Sequence, residues 1–141
     1  MTNAQRGLAA LTGRKLRLKQ WLLEQENRMR LRRGKPIHVH GLLIETGPET
    51  SPSILEHLIR GSYERQEAEG IRSLLVPSDR VLEFGSGLGV IACIAGRSAS
   101  DVLSFEANPR LVERAEANLA LNGIRNVAIQ KGVVGRQPGT A

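Results

Sequence analysis

The sequence predicts an α/β fold, in which three parallel strands with intervening helices follow a basic helical extension. Three observations predict it. The apolar run within Asp79-Arg80-Val81-Leu82-Glu83-Phe84 opens directly into the glycine-rich segment Gly85-Ser86-Gly87-Leu88-Gly89. A uniformly apolar stretch follows, Val90 to Ala95, long enough to begin a buried helix. A second apolar run, Val102 to Phe105, then ends on an acid, Glu106. That order reads strand, ligand-hugging loop, helix, strand. It is the arrangement that grips a nucleotide-like ligand at the carboxyl end of a parallel sheet.

The elements can be justified in chain order. Residues 1–36 hold ten Lys and Arg but only Glu24 and Glu26, whereas residues 37–141 hold ten basic and twelve acidic side chains. The high isoelectric point therefore belongs to an arm. Leu16, Trp21 (or Leu22) and Leu23 interleave with Arg14, Lys15, Arg17 and Lys19, as in a basic amphipathic helix. One reading is contact with nucleic acid or an anionic membrane. The simpler one is a solvated helix that packs its leucines on the following domain or on another copy of itself, since a single Trp is no stacking platform. An organelle presequence is a further option, against which Glu24 and Glu26 speak.

Residues 37–62 read as an extension and linker. Ile37-His38-Val39-His40-Gly41-Leu42-Leu43-Ile44 is expected to be one extended segment, with His38 and His40 on one face and Ile37 and Val39 on the other. Two histidines so spaced suit a metal, but the sequence supplies no third ligand, and a solvent-facing strand explains them. Gly47 to Pro52 is turn-rich, and Ser53 to Arg60 a short helix in which His57 faces solvent.

Residues 63–141 form the segment that carries the chemistry. A helix from Glu64 to Val76 places Ala68, Ile71 and Leu75 on one side and ends at Pro77. Strand 81–84, helix 89–96, strand 102–106, helix 109–122 and strand 127–130 follow. Asn108 caps the second of these helices, with Pro109 in its first turn. Leu111, Ala115 and Leu119 make its apolar stripe, and Gly123 ends it in a left-handed conformation.

The glycine loop sets the chemistry. A strand-to-helix reversal needs backbone angles that a side chain forbids, and a ligand approaches closely only where no Cβ intervenes. Gly85 suits the turn, Gly87 the close approach, and Gly89 a helix start packed against the strand. Glu106 lies 21 residues past Gly85, where a carboxylate accepts hydrogen bonds from both hydroxyls of a ribose. A dinucleotide fingerprint requires a small residue at position 90, which is Val90. Glu83 just ahead of the loop repels a pyrophosphate but suits a ligand with an amino group and a sulfonium. S-adenosylmethionine is thus favoured over a nicotinamide dinucleotide.

The stretch from Tyr63 to Gly135 resembles the first half of a class I S-adenosylmethionine-dependent methyltransferase with a Rossmann-like sheet. Phe105-Glu106-Ala107-Asn108-Pro109, then Asn118-Leu119-Ala120-Leu121-Asn122-Gly123 and Asn126-Val127, together with Tyr63-Glu64, are similar to the FkbM-like family. The resemblance implies that Gly85, Ser86, Gly87 and Gly89 line the methionine end of the cofactor. It places Glu106 on the ribose, Ala107 and Asn108 near the adenine, and Tyr63 where it closes over the ligand. It also implies O-methylation of a small molecule or sugar as the reaction class. Such a sheet normally carries seven strands, so the resemblance implies that four are absent here. The first strand is then an open apolar edge, as in a truncated gene product, a fragment, or a chain completed by a partner or a second copy. The cofactor half alone is expected to bind weakly and not to turn over, and no catalytic residue is assigned.

Other chemistry is sparse. One cysteine excludes an internal disulfide and fits a reducing, cytoplasmic compartment. No apolar run approaches the roughly 20 residues that span a bilayer. Two rival functions stand beside methyl transfer. One is a nicotinamide-dependent oxidoreductase fragment, and the other a non-enzymatic module whose basic arm binds nucleic acid or a partner.

Overall fold

The computed structural model describes residues 3–135, with side chains from residue 12 onward. Residues 1–2 and 136–141, the outer ends of the arm and of the 63–141 segment, lie outside the described residues. A single long helix, α1 (Asn3–Arg32), leads into a hairpin of β1 (Ile37–Val39) and β2 (Leu42–Ile44). Two short helices follow, α2 (Pro52–Ile59) and α3 (Arg65–Leu74). The chain then alternates through β3 (Arg80–Phe84), α4 (Val90–Ser98), β4 (Asp101–Glu106), α5 (Pro109–Leu121) and β5 (Val127–Lys131). The architecture is α/β, as the sequence predicts.

Strands β3, β4 and β5 form a parallel sheet in that order, with Leu82 opposite Leu103 and Phe84 opposite Phe105. Side chains alternate across a strand, so each face has its own set. Val102, Ser104 and Glu106 are buried beneath the helices. The other face is bare. Leu82 and Phe84 are 57% and 58% exposed, and the Phe84 ring stacks on Phe105 at a centroid distance of 6.0 Å. Among the described residues β3 pairs only with β4, so its second edge is also open. This is the open apolar edge expected from the sequence.

Segment 37–44 departs from expectation. It is a hairpin and not one extended strand. The chain reverses at His40-Gly41, both with positive φ (51° and 78°), the pattern of a two-residue hairpin turn. Gly41 takes that angle freely, and the preceding His tolerates it. The histidines are consequently separated. His38 sits in β1 with Nε2 3.4 Å from the Glu26 carboxylate, whereas His40 in the turn donates from Nε2 to the Tyr63 carbonyl. Among the described residues no group of three His, Cys, Asp or Glu is placed to hold a metal.

The apolar side of the hairpin enters the main core. Ile37, Val39, Leu42 and Ile44 are at most 1% exposed, and they cluster with Leu58, Leu88, Val90, Ile94 and Leu119. One apolar cluster therefore runs across residues 37–62 and the chemistry-bearing segment. Burying the hairpin leaves its outer backbone groups to be satisfied, and asparagines do this. Asn122 receives the Leu43 N–H (3.0 Å) and donates to the Leu43 carbonyl (2.7 Å). Asn118, fully buried, receives the Glu45 N–H (2.8 Å) and donates to the Leu88 carbonyl (2.9 Å). On the opposite strand, buried Asn27 of α1 accepts from the His38 N–H (2.7 Å) and donates to the His38 and Ile59 carbonyls.

Among the residues whose side chains are described, α1 buries chiefly its C-terminal part. Leu23 lies beside Gly61 and Leu31 joins the core, but Leu16 is 66% exposed and Trp21 54%. The arm's leucines do not all pack on the domain. Leu16 and Leu23 share one side of the helix, while Trp21 lies about 140° round from Leu16 at 100° per residue. Cys93 is buried in α4, and burial pushes its thiol up to about 12.

Candidate functional site

The loop between β3 and α4 hooks onto the end of β4. The Gly85 and Ser86 N–H groups both donate to the Phe105 carbonyl (2.7 and 3.3 Å), and Gly89 N–H closes a turn onto the Ser86 carbonyl (2.7 Å). Gly85, Gly87 and Gly89 all have positive φ. The reason for glycine differs between them. At Gly89 a Cβ would stand 3.0 Å from the Ala115 Cβ and 3.1 Å from its Cα, so this glycine seats the start of α4 against α5. The expectation that it packs on the strand is corrected. The sequence shows which residues follow Gly89 but not that α5 crosses in front of it. At Gly87 a Cβ would point at the Tyr63 hydroxyl, 3.5 Å away.

Glu106 lies at the mouth of the loop. The residue is 9% exposed, and its carboxylate spans two backbone donors, Gly87 N–H at Oε2 and Asn108 N–H at Oε1, each 2.9 Å. One side chain thus ties the glycine loop to the start of α5. Each oxygen retains a lone pair for a further donor. Ala107 and Asn108 are exposed beside it, and the Asn108 side chain caps α5 by accepting from Arg110 N–H (3.0 Å). Ser86 is 5% exposed, and its hydroxyl has no hydrogen-bond partner among the described residues. A buried hydroxyl without a protein partner is one that a ligand atom or a water would satisfy.

The carboxylates of this recess act on one another and on Tyr63. Glu83 accepts from the Ser104 hydroxyl (2.5 Å), and burial, together with the Glu106 charge, holds its carboxyl above the usual range. Glu64 is likewise raised by burial and by Glu83 and Glu67, although a hydrogen bond with Tyr63 opposes the shift. Burial and the carboxylates of Glu64, Glu106 and Glu83 push the Tyr63 phenol upward. No cation is among the groups acting on Tyr63, Glu64 or Glu83. Such a recess favours cationic and hydroxyl-bearing ligands and opposes phosphate.

The structure therefore brings together Tyr63, Glu83, Ser86, Gly87 and Glu106, with Gly85 in the loop and Gly89 behind it. Glu64 joins them without having been singled out as a site residue. It holds a left-handed conformation (φ 47°, ψ 37°) at the head of α3, a strained angle for a side-chain-bearing residue. The Tyr63-Glu64 pair was the available signal, but the backbone angle that turns Glu64 inward cannot be seen in a sequence. His57 is exposed, bonds the Ser62 hydroxyl at 3.0 Å, and lines a surface hollow shared with Tyr63 and Glu64.

Comparisons with known proteins agree with this geometry. Residues 67–138 match the family model of protein-L-isoaspartate(D-aspartate) O-methyltransferase (PCMT). A protein-L-isoaspartate O-methyltransferase of Rhizobium meliloti is 40% identical over 57 residues, covering 40% of this chain and 28% of that protein. A ribosomal protein L11 methyltransferase of Thermus thermophilus is 39% identical over 51 residues, covering 36% of this chain and 20% of that one. Trm5b from Pyrococcus abyssi superposes with a TM-score of 0.55 at 17% identity, over 69% of this chain and 27% of that chain, a likeness of fold alone. The chain spans well under a third of the length of these relatives. The narrower FkbM-like likeness is not the one these matches support. With a matched region of just over half of the 141 residues, the chain belongs to the protein-L-isoaspartate(D-aspartate) O-methyltransferase (PCMT) family.

Proposed function

We propose that the chain forms the cofactor-holding half of an S-adenosylmethionine-dependent methyltransferase that acts on oxygen. The observation that carries this reading is the Glu106 carboxylate spanning Gly87 N–H and Asn108 N–H beside the unpaired Ser86 hydroxyl. These residues fit the cofactor. Gly87 has no Cβ where the ligand approaches, Ser86 offers a spare donor and acceptor, and Glu106 has lone pairs left for a ribose diol. Glu83 and Glu64 supply negative charge for an amino group and a sulfonium, and Tyr63 covers the loop. Ala107 and Asn108 flank the adenine. When bound, S-adenosylmethionine supplies a methyl carbon made electrophilic by its sulfonium.

The work of this chain is then alignment and not proton transfer. Glu106 would hold the ribose and the glycine loop the methionine end, and the cofactor would supply an electrophilic methyl for in-line displacement. No acid or base of the recess is assigned a catalytic proton.

The acceptor is proposed as an oxygen because the family name specifies O-methylation; a small molecule or sugar as its bearer rests on the FkbM-like resemblance of the sequence alone. The open edge of β3 and the bare face carrying Leu82 and Phe84 are where a completing chain or second copy is expected to seat.

Titration calorimetry with S-adenosylmethionine, S-adenosylhomocysteine and NAD tests the cofactor. Tighter binding of NAD would overturn the reading in favour of a nicotinamide-dependent oxidoreductase. Methyl transfer to isoaspartyl peptide, compared with sugar and small-molecule hydroxyls, tests the acceptor class.

A further inference from the structure

The side of α1 turned away from the domain carries apolar side chains, interrupted by the exposed Gln25, that nothing among the described residues covers. Leu18, Trp21, Leu22 and Met29 are 57%, 54%, 52% and 51% exposed. At about 100° per residue they fall in one sector of the helix, opposite Asn27 and Leu23, which dock it. The stripe is about 17 Å long. Bases stand at both of its ends, Arg14 and Lys15 before it and Arg32 and Arg33 after it, all exposed. None of the four has an ionic partner among the described residues. The acids Glu24 and Glu26 are engaged with Arg28, Arg30 and His38.

We infer that this face of α1 is a docking surface for an anionic lipid bilayer. The occupant must be negative at both ends of the stripe and apolar between them. A second copy of α1 is not. Antiparallel pairing sets Arg14 and Lys15 against Arg32 and Arg33 of the other copy, and parallel pairing sets each base against itself. A polynucleotide matches the charge but leaves Leu18, Leu22 and Met29 against a polar backbone. An anionic leaflet satisfies both requirements, with phosphates for the bases and acyl chains just beneath for the leucines. The helix lies in the interface and does not cross, since no helix among the described residues is long and apolar enough to span a membrane. Docking leaves the Asn27 contacts intact, because they occupy the other side.

Trp21 is the only tryptophan and reports the event directly. The 141-residue chain is mixed with vesicles of phosphatidylcholine alone or with phosphatidylglycerol, and Trp21 emission and acrylamide quenching are read. A blue shift with loss of quenching on anionic vesicles, absent on neutral ones and reversed by salt, is expected. Replacing the bases by R14Q, K15Q, R32Q and R33Q weakens partitioning about fivefold per charge removed. The pair L18S and L22S abolishes the shift while the far-UV spectrum is kept. No shift on anionic vesicles overturns the proposal. So does an equal shift with RNA, or shielding of Trp21 that rises with protein concentration in the absence of lipid.

Discussion

Replacing Glu106 by Gln tests the centre of the site with almost no change of shape. The carboxylate holds Gly87 N–H and Asn108 N–H, each at 2.9 Å and on separate oxygens. Glutamine has one acceptor oxygen, so only one of the two donors keeps a partner, and the amide nitrogen faces the other donor head on. One charge-assisted hydrogen bond is lost, about 1.5–3 kcal/mol, and the surviving bond becomes a neutral one, costing about 1 kcal/mol more. Relief of repulsion with Glu83 offsets part of this. A net destabilisation of about 2–3 kcal/mol is expected, a large fraction of the roughly 5–15 kcal/mol that holds a domain folded. Urea unfolding followed by circular dichroism at neutral pH measures it. Glu106→Asp keeps the charge but is one methylene too short to reach both donors, so its midpoint should fall between wild type and Glu106→Gln. Calorimetry on the same proteins should show S-adenosylmethionine affinity falling in that order. If Glu106→Gln unfolds within about 0.5 kcal/mol of wild type, the two-donor bridge is not what fastens the loop, and the argument for the site fails with it.

Three further perturbations separate other parts of the design. Gly89→Ala should cost about 1–2 kcal/mol for its φ of +77° and a further 1–3 kcal/mol for the contact with Ala115, whereas Gly123→Ala, at φ +68° with open space around it, should show only the first cost in a thermal melt; equal losses would refute the α4–α5 contact. Asn118→Ala strips partners from the Glu45 N–H and Leu88 carbonyl and should cost about 2–4 kcal/mol, with amide exchange at Glu45 accelerated well beyond that of α5; unchanged exchange would show that the hairpin is held otherwise. Because burial raises the Glu83 carboxyl in the folded state, the folded protein binds that proton more tightly than the unfolded chain. Stability should therefore decline as pH rises from about the ordinary value of 4.5 through the folded one, and Glu83→Gln should flatten this decline and gain stability at neutral pH while weakening S-adenosylmethionine; parallel pH profiles for the two proteins would contradict it.

The sequence by itself determined the β-α-β core and the place of the loop within it. Period, capping and glycine spacing are local signals. Asn108-Pro109 starts α5 and Gly123 ends it because caps act within a few residues, and Glu106 reaches the loop because both follow the carboxyl ends of adjacent parallel strands. What faces what was decided elsewhere. The reversal at His40-Gly41 turned an apparent strand into a hairpin and parted two histidines, since one residue of left-handed backbone redirects everything after it. Gly89 meets Ala115, Asn118 closes the edge of β2, and Glu64 turns into an acidic recess through contacts 26, 73 and 19 residues distant in the chain (to Ala115, Glu45 and Glu83). Such pairings depend on how helices lie across a sheet, and no local pattern encodes them. Which side of α1 docks was also tertiary, because buried Asn27, with Leu23 and Leu31 on the same side, turns Leu18 and Leu22 away from the domain.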